Sequence, residues 1–287
     1  MTQEKKVLLA VLAHPDDETF GTGGTLAFYA HQDVEVHLIC ATRGEVGDVD
    51  PEYMHGFTSV ADVRVNELRC AAGVLGLSGV HFLDYRDSGM PGSPDNTHPQ
   101  ALAAAPIEEV AAKIAHYFNL LHPQVVITFD PIGGYRHPDH IACHRATAHA
   151  FDTVQKNPAA FPDPEGLPPY IPQKLYFQTI SHTLIKVAVF ALKVFGKDAH
   201  HFGRNKDIDI ASIAEVSFPV HARINYSSVA RQRDQASACH ASQGGQQQSR
   251  GLMGLGRRLF GATETYMRSF PPPVPGQIEK DLFEGVH

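Results

Sequence analysis

Ala13-His14-Pro15-Asp16-Asp17-Glu18 places one histidine and three acids within five residues. Neighbouring carboxylates push each other's pKa up, and they stay ionised together only beside a cation. A divalent metal would supply that cation. His14 and Asp17 can turn toward one ion while Asp16 points elsewhere. Read alone, the segment is equally a polar turn in which an Asp caps the next helix. A second cluster, Asp130-Pro-Ile-Gly-Gly-Tyr135-Arg136-His137-Pro138-Asp139-His140, lies more than a hundred residues downstream. Two ligands from the first cluster and one histidine from the second make a His₂Asp set. Three protein ligands with an open fourth position are the pattern of catalytic rather than structural zinc. Histidine with carboxylate and no thiolate suits Zn²⁺ and also Fe²⁺, Co²⁺ or Mn²⁺. His144, four residues after His140, makes a rival helical pair, but the Glu of H-E-x-x-H is missing, so His144 reads as packing or as support for a ligand.

Both clusters follow apolar runs, Val7 to Ala13 and Val125 to Phe129. Continuous apolar runs of this length suit parallel strands buried on both faces. Ligands of open α/β sheets bind beyond the carboxyl ends of such strands, where both clusters stand. The remaining pattern alternates. Helical character runs from about Gly24 to Gln32, from Val60 to Leu77, from Ile107 to Leu121 and from His140 to Asp152. Strand character appears at Val34 to Ala41, Val80 to Leu83, Gln124 to Phe129 and Lys174 to Ile180. This alternation predicts an α/β chain, a three-layer αβα arrangement around a mostly parallel sheet. Six prolines between Asn157 and Pro172 mark a loop. Beyond it the pattern weakens. Ser181 to Phe195 reads as a packed helix interrupted by Lys186 and Lys193, Ser227 to Gln243 and Thr263 to Phe270 as helices, Gly244 to Gln248 as a loop, and Pro271 to Pro275 as the end of ordered structure or the start of a tail. The domain reading is a catalytic core over residues 1–180, with residues 181–287, a smaller C-terminal portion, completing the same domain.

Composition narrows the function. The 287 residues are 43% hydrophobic and 19% charged, an ordinary globular balance, and the formal net charge of −7 gives no basic surplus for nucleic acid. No apolar stretch is long enough to span a bilayer, and no leader is visible at the N-terminus. The four cysteines are scattered, with no C-x-x-C, and read as reduced, buried thiols in a cytoplasmic protein. The chain has 18 histidines. Adjacent His200 and His201 read as surface residues with no acidic partner at a supporting spacing. Gly21-Thr-Gly23-Gly24 opens the first helix, but a dinucleotide fingerprint needs a third glycine where Leu26 stands. The glycines read instead as a tight turn with amides facing the site.

The two motifs, in this order and spacing, resemble the PIG-L/LmbE-like zinc N-deacetylase superfamily. The similarity extends through Gly44-Glu45, Arg64-x-x-Glu67-Leu68 and Asp87-Ser88-Gly89-Met90, and more weakly through His240-x-Ser242-Gln243 and Glu264-x-x-x-Arg268. The resemblance implies a Rossmann-like fold and a zinc-dependent hydrolase acting on the acetamide of an N-acetylglucosamine-type small molecule. An amidase that cleaves a larger acyl group from a sugar–cysteine thiol conjugate is the alternative, and a non-catalytic sugar binder a further one. By the resemblance His14, Asp17 and His140 hold the metal, Asp16 is the general base, and His137 stabilises the oxyanion or acts as acid. Arg64 and Asp87 would contact the substrate. The Tyr135 hydroxyl is a further donor to the oxyanion. Asp139 reads either as the partner that orients a histidine or as a carboxylate favoured by a helix dipole. Oligomeric state is left open, a homo-oligomer included.

Overall fold

The computed structural model describes residues 5–180, 209–246 and 262–287, together with a few isolated positions between 181 and 208. Seven strands form one sheet: β1 (Val7–Leu12), β2 (Glu35–Thr42), β3 (Gly79–Tyr85), β4 (Val125–Thr128), β5 (Lys174–Thr179), β6 (Ala222–Asn225) and β7 (Thr263–Phe270). Their order is β3-β2-β1-β4-β5-β7-β6. The first five are parallel, and β7 runs antiparallel to both β5 and β6. Every residue of β1 and of β4 is buried, as continuous apolar runs covered on both faces must be.

The chain steps outward from β1 to β3 and then returns to the other side of β1 as β4. Leu8 pairs with Val125 and Ala10 with Ile127. The segments that leave β1 and β4 therefore emerge side by side, at the point where the strand order reverses. An open α/β sheet leaves its binding crevice there.

The α-helices are α1 (Asp17–Phe20), α2 (Gly23–Ala30), α3 (Val60–Leu75), α4 (Ile107–Leu121), α5 (Gly133–Arg136), α6 (Pro138–Lys156), α7 (Ile210–Ile213) and α8 (Ala230–Cys239), with short 3-10 turns between some of the elements. Helix α4 packs on α6, while α3 and α2 pack on α8. These groups supply the outer layers. Helix α3 shows why the local sequence folds as it does. Ser59 caps its first turn by accepting from the Asp62 amide, and Gly76 ends it in the left-handed conformation at φ 80°. Among the described residues, no helix is long and apolar enough to cross a membrane.

Four sequence expectations need correction. Thr263–Phe270 is a strand, not a helix, and it is hydrogen-bonded on both sides. Its Thr, Tyr and Phe content favours a pleated, half-buried surface, and eight residues are too few for helical periodicity to decide. The prolines at 271–275 do not end the ordered chain. Leu282 and Phe283 beyond them are buried, and Glu279 receives Lys174 Nζ at 2.7 Å, Arg268 Nη1 at 2.7 Å and the Tyr176 hydroxyl at 2.7 Å. Cys70 and Cys239 are not free thiols. They form a disulfide between α3 and the end of α8, 169 residues apart in sequence, while Cys40 and Cys143 stay free and buried. The α2 amides do not face the site either. Gly24 and Thr25 donate to the Glu264 carboxylate of β7 at 2.9 and 2.7 Å. The expectations for Ser181 to Phe195 and for His200 and His201 fall in the 181–208 stretch, essentially outside the described residues.

Candidate metal centre

His14 and Asp17 stand just beyond β1, and His140 in the first turn of α6, which follows β4. All three are buried. His140 Nε2 lies 3.3 Å from His14 Nδ1 and 3.3 Å from Asp17 Oδ1, and His14 Nδ1 lies 3.5 Å from Asp17 Oδ2. Donors about 2.1 Å from a tetrahedral ion stand about 3.4 Å from one another. Asp17 thus turns one oxygen toward each imidazole, and the two ring nitrogens and this carboxylate converge at separations close to those around one such ion. His14, His137 and His140 also converge, with donor atoms within 4.8 Å of one another. His14, Asp87 and Asp139 converge in the same way, and His137 uses its Nδ1 to accept from the Asp139 amide at 3.2 Å.

The ring of His14 is held from behind. Its Nε2 faces Asp139 Oδ2 at 3.0 Å and Asp87 Oδ1 at 3.5 Å. Two carboxylates at Nε2 place the proton there and leave the Nδ1 lone pair for the cluster. Asp139 is itself fixed by Ser88, whose amide donates to Oδ2 at 2.9 Å and whose hydroxyl donates to Oδ1. Of the two sequence readings of Asp139, the histidine partner is the one its side chain adopts. His144 is not part of the cluster: its Nδ1 bonds the Phe129 carbonyl at 2.9 Å and its ring packs on Phe177.

Asp16 lies beside the cluster in a strained backbone, φ 131° and ψ −27°, a conformation that costs on the order of 1–3 kcal/mol for a residue with a Cβ. Several contacts maintain it. The Asp16 amide donates to Glu18 Oε2 at 2.9 Å, and its carbonyl accepts from the amides of Thr19 and Phe20 at 3.0 and 2.9 Å. Arg64 Nη2 reaches Asp16 Oδ2 at 3.2 Å and the Pro15 carbonyl at 2.8 Å. Arg64 is therefore buried against Asp16. Gly44 lets it pass: a Cβ there would fall 2.1 Å from Arg64 Nη1, and the residue sits at φ 69°.

Charge follows from this crowding. Burial pushes the Asp16 carboxyl up to about 6, against the pull of Arg64. Burial also opposes ionisation of Asp17, but the histidines beside it hold its pKa well below the usual range. His14 is held well above its ordinary value because Asp87, Asp139 and Asp17 overcome its burial. His137 is pushed well below, by burial and by His14 and His140. Four buried or half-buried carboxylates, Asp16, Asp17, Asp87 and Asp139, thus surround two imidazoles with Arg64 as the permanent cation beside them. This donor set and charge fit a divalent ion.

The loop carrying the second motif is built by Asp130, whose Oδ1 accepts from the amides of Ile132 and Gly134 at 3.0 and 2.9 Å. Tyr135 leaves this loop with its ring edge-on to His140 and His137, at centroid distances of 4.9 and 5.9 Å. Asp87, at the end of β3, bonds the Gly89 amide at 2.8 Å, and its own amide is held by Glu45 at 3.0 Å. All eight residues singled out in the sequence, His14, Asp16, Asp17, Arg64, Asp87, Tyr135, His137 and His140, therefore gather at one end of the sheet. The sequence reasoning missed the buried pairing of Glu18 with His240, at 2.5 Å. Its signal was the downstream His-x-Ser-Gln segment.

A His/carboxylate cluster at the switch point of an αβα sheet, with a further carboxylate held beside it by Arg64, has the donor set of a metal-dependent hydrolase. The profile of the GlcNAc-PI de-N-acetylase family matches residues 9–151. A 1D-myo-inositol 2-acetamido-2-deoxy-alpha-D-glucopyranoside deacetylase of Acidothermus cellulolyticus is 34% identical over 292 residues, covering 97% of this chain and 94% of the relative. An enzyme of the same name from Geodermatophilus obscurus is 36% identical over 252 residues, 85% of this chain and 84% of its own. The chain belongs to the GlcNAc-PI de-N-acetylase (PIG-L) family. Among solved structures, the conserved protein TT1542 of Thermus thermophilus superposes with a TM-score of 0.58 at 23% identity, covering 93% of this chain and 95% of that one. The 4-carboxy-2-hydroxymuconate hydratase GalB of Pseudomonas putida superposes at 0.62 with 18% identity, covering 94% and 99%. A hydratase on this architecture shows that the fold alone does not choose the reaction.

Proposed function

We propose that the chain removes the acetyl group from an N-acetylglucosamine-type small molecule, with a glucosaminyl inositol of the kind named for its relatives as the first substrate to test. The observation that carries the mechanism is the convergence of His14 Nδ1, His140 Nε2 and the two oxygens of the Asp17 carboxylate, at contacts of 3.3–3.5 Å, with Asp16 beside them. In this reading His14, Asp17 and His140 hold the ion and the ion is zinc. When bound, it supplies Lewis-acid polarisation of the amide carbonyl and a lowered pKa for the attacking water.

The rest is work for the chain's own residues. Asp16 takes the proton of the water as it attacks, and Arg64 fixes the carboxylate that receives it. His137 presents its Nε2 proton to the developing oxyanion, because its Nδ1 is already an acceptor for the Asp139 amide. The Tyr135 hydroxyl is the second donor. Asp16 then returns its proton to the leaving amine. Arg64 and Asp87 lie close enough to the cluster to meet sugar hydroxyls as well as their internal partners. The first 180 residues supply every one of these groups, and residues 181–287 complete the same domain.

The test is primary-amine release from N-acetylglucosamine, its inositol glycoside and a thiol-conjugate analogue. Protein stripped with a chelator and reloaded with Zn²⁺ is compared with an Asp16→Ala variant that still binds metal. Zinc-restored acetate release that the variant loses supports the reading. Cleavage of the conjugate's larger acyl group in preference to acetyl supports the amidase instead. A fully loaded protein that leaves the whole panel intact refutes the proposal.

A further inference from the structure

Asp16 performs its proposed role only while its unusual backbone is held, and the contact on its amide comes from an unexpected quarter. Glu18 is fully buried and both its oxygens are committed. Oε2 accepts from the Asp16 amide at 2.9 Å, and Oε1 meets His240 Nε2 at 2.5 Å. His240 is also fully buried, at the end of α8, 222 residues away in sequence. We infer that His240, acting through Glu18, is a positioning residue for Asp16. This inference rests on Asp16 being the general base.

The geometry leaves Glu18 one orientation. A buried carboxylate needs a donor on each face. Arg64 grips the side chain of Asp16 and the preceding carbonyl, and it does not touch the Asp16 amide. Without His240, Glu18 has an unpaired oxygen in a dry site, and the cheapest relief is to rotate or to admit water. Either change releases the Asp16 amide and lets the residue relax from φ 131° toward ordinary values, which carries its carboxylate away from the cluster. His240 in turn is fixed from two sides. Cys239 is bonded to Cys70 of α3, and Ser242 donates its amide and hydroxyl to Glu67 of α3 at 2.8 and 2.7 Å. The positioning pair is thus anchored to the same helix that carries Arg64. Besides the carbonyl bonds within its own turn, the restraints on the Asp16 side chain and amide both trace back to α3.

His240→Ala, His240→Gln and His240→Asn are prepared with full metal, and kcat, KM, metal per chain and melting temperature are measured on the best panel substrate. A misplacement of about 1 Å can cost 100-fold in rate, so His240→Ala is expected to lose at least about tenfold in kcat, with KM and metal content near those of the parent. His240→Gln places an amide N–H within reach of Glu18 and recovers most of the loss. The shorter Asn does not. If the Ala variant does not fold, the Gln–Asn contrast carries the test. A kcat within twofold of the parent for His240→Asn, or equal losses in Gln and Asn, overturns the inference. So does a loss that follows metal content or KM. Asp16→Asn separates this from the underlying reading. Parental activity in Asp16→Asn would sink the general base itself. An inactive Asp16→Asn beside fully active His240 variants would sink only the positioning role.

Discussion

Asp139 offers a quantitative test of how the centre is supported. It accepts three hydrogen bonds, from His14 Nε2 at 3.0 Å, from the Ser88 amide at 2.9 Å and from the Ser88 hydroxyl. Asp139→Asn preserves the shape. Its amide oxygen in the place of Oδ2 still accepts from Ser88 and from His14. The negative charge behind His14 is gone, so a charge-assisted bond becomes a neutral one, a loss of about 1–1.5 kcal/mol. That converts to about tenfold weaker metal binding. Asp139→Ala removes the bond entirely and frees the ring to turn, and partners of this kind are worth up to about 100-fold in affinity. The Asn variant also meets a Ser88 hydroxyl that already accepts from the Ala103 amide at 2.9 Å, so it loses folding stability as well. Zinc affinity is measured by competition with a chromophoric chelator, with circular dichroism to establish that each variant is folded. Folded Asn and Ala variants that both bind zinc within twofold of the parent would refute the support role. So would a larger loss for Asn than for Ala.

Other expectations are equally specific. Glu264→Ala leaves the Gly24 and Thr25 amides without their acceptor, which should cost about 2–4 kcal/mol in a urea melt. His144→Ala breaks the bond to Phe129 and the packing on Phe177. It should lower stability by about 1–2 kcal/mol and leave zinc per chain unchanged, whereas a His140/His144 metal pair requires the zinc to be lost. Burial opposes ionisation of Asp163, but hydrogen bonds from His116, Asn119 and the amides of Glu165 and Leu167 hold its pKa at about 2. Its folded value lies below the ordinary 3.8, so its contribution to stability is complete above about pH 4 and fades as pH falls through 2. Asp163→Asn should flatten that part of the pH profile of the urea midpoint, and an unchanged profile would show that the carboxylate is not so held.

The parts of this architecture that were legible are those written locally. β1 and β4 are unbroken apolar runs, each followed at once by its charged cluster, so the crevice and the six candidate residues of the two clusters could be named before any contact was known, while Arg64 and Asp87 came only from the family resemblance. Asp139 carried two readings because both a helix dipole and a histidine partner suit a carboxylate after a proline. Only Ser88, brought in by the end of β3, decides between them. β7 was misread because pairing with β5 and β6 on its two sides, and not periodicity, makes it a strand. The Cys70–Cys239 bond was not legible, and of the Glu18–His240 pair only the His240 segment was noticed, without its partner. Each joins segments more than 160 residues apart, and nothing in the spacing of either segment names the other. The Glu264–Arg268 spacing was noticed in the sequence without a reason. Its reason is structural, a carboxylate capping α2 across the sheet and a guanidinium tying down Glu279.

The order in which the chain is made gives the Glu18–His240 contact a temporal meaning. Residues 14–18 leave the ribosome well before His240, which follows Glu18 by 222 positions. At about 5–20 residues per second, that interval is on the order of 10–40 s. For all of it the nascent polypeptide has its acid cluster in place and the seat of Asp16 unfinished. If His240 seats Asp16 as inferred, hydrolytic competence arrives only with the segment that closes around Glu18, and a fragment that stops before it would hold the motif without the chemistry.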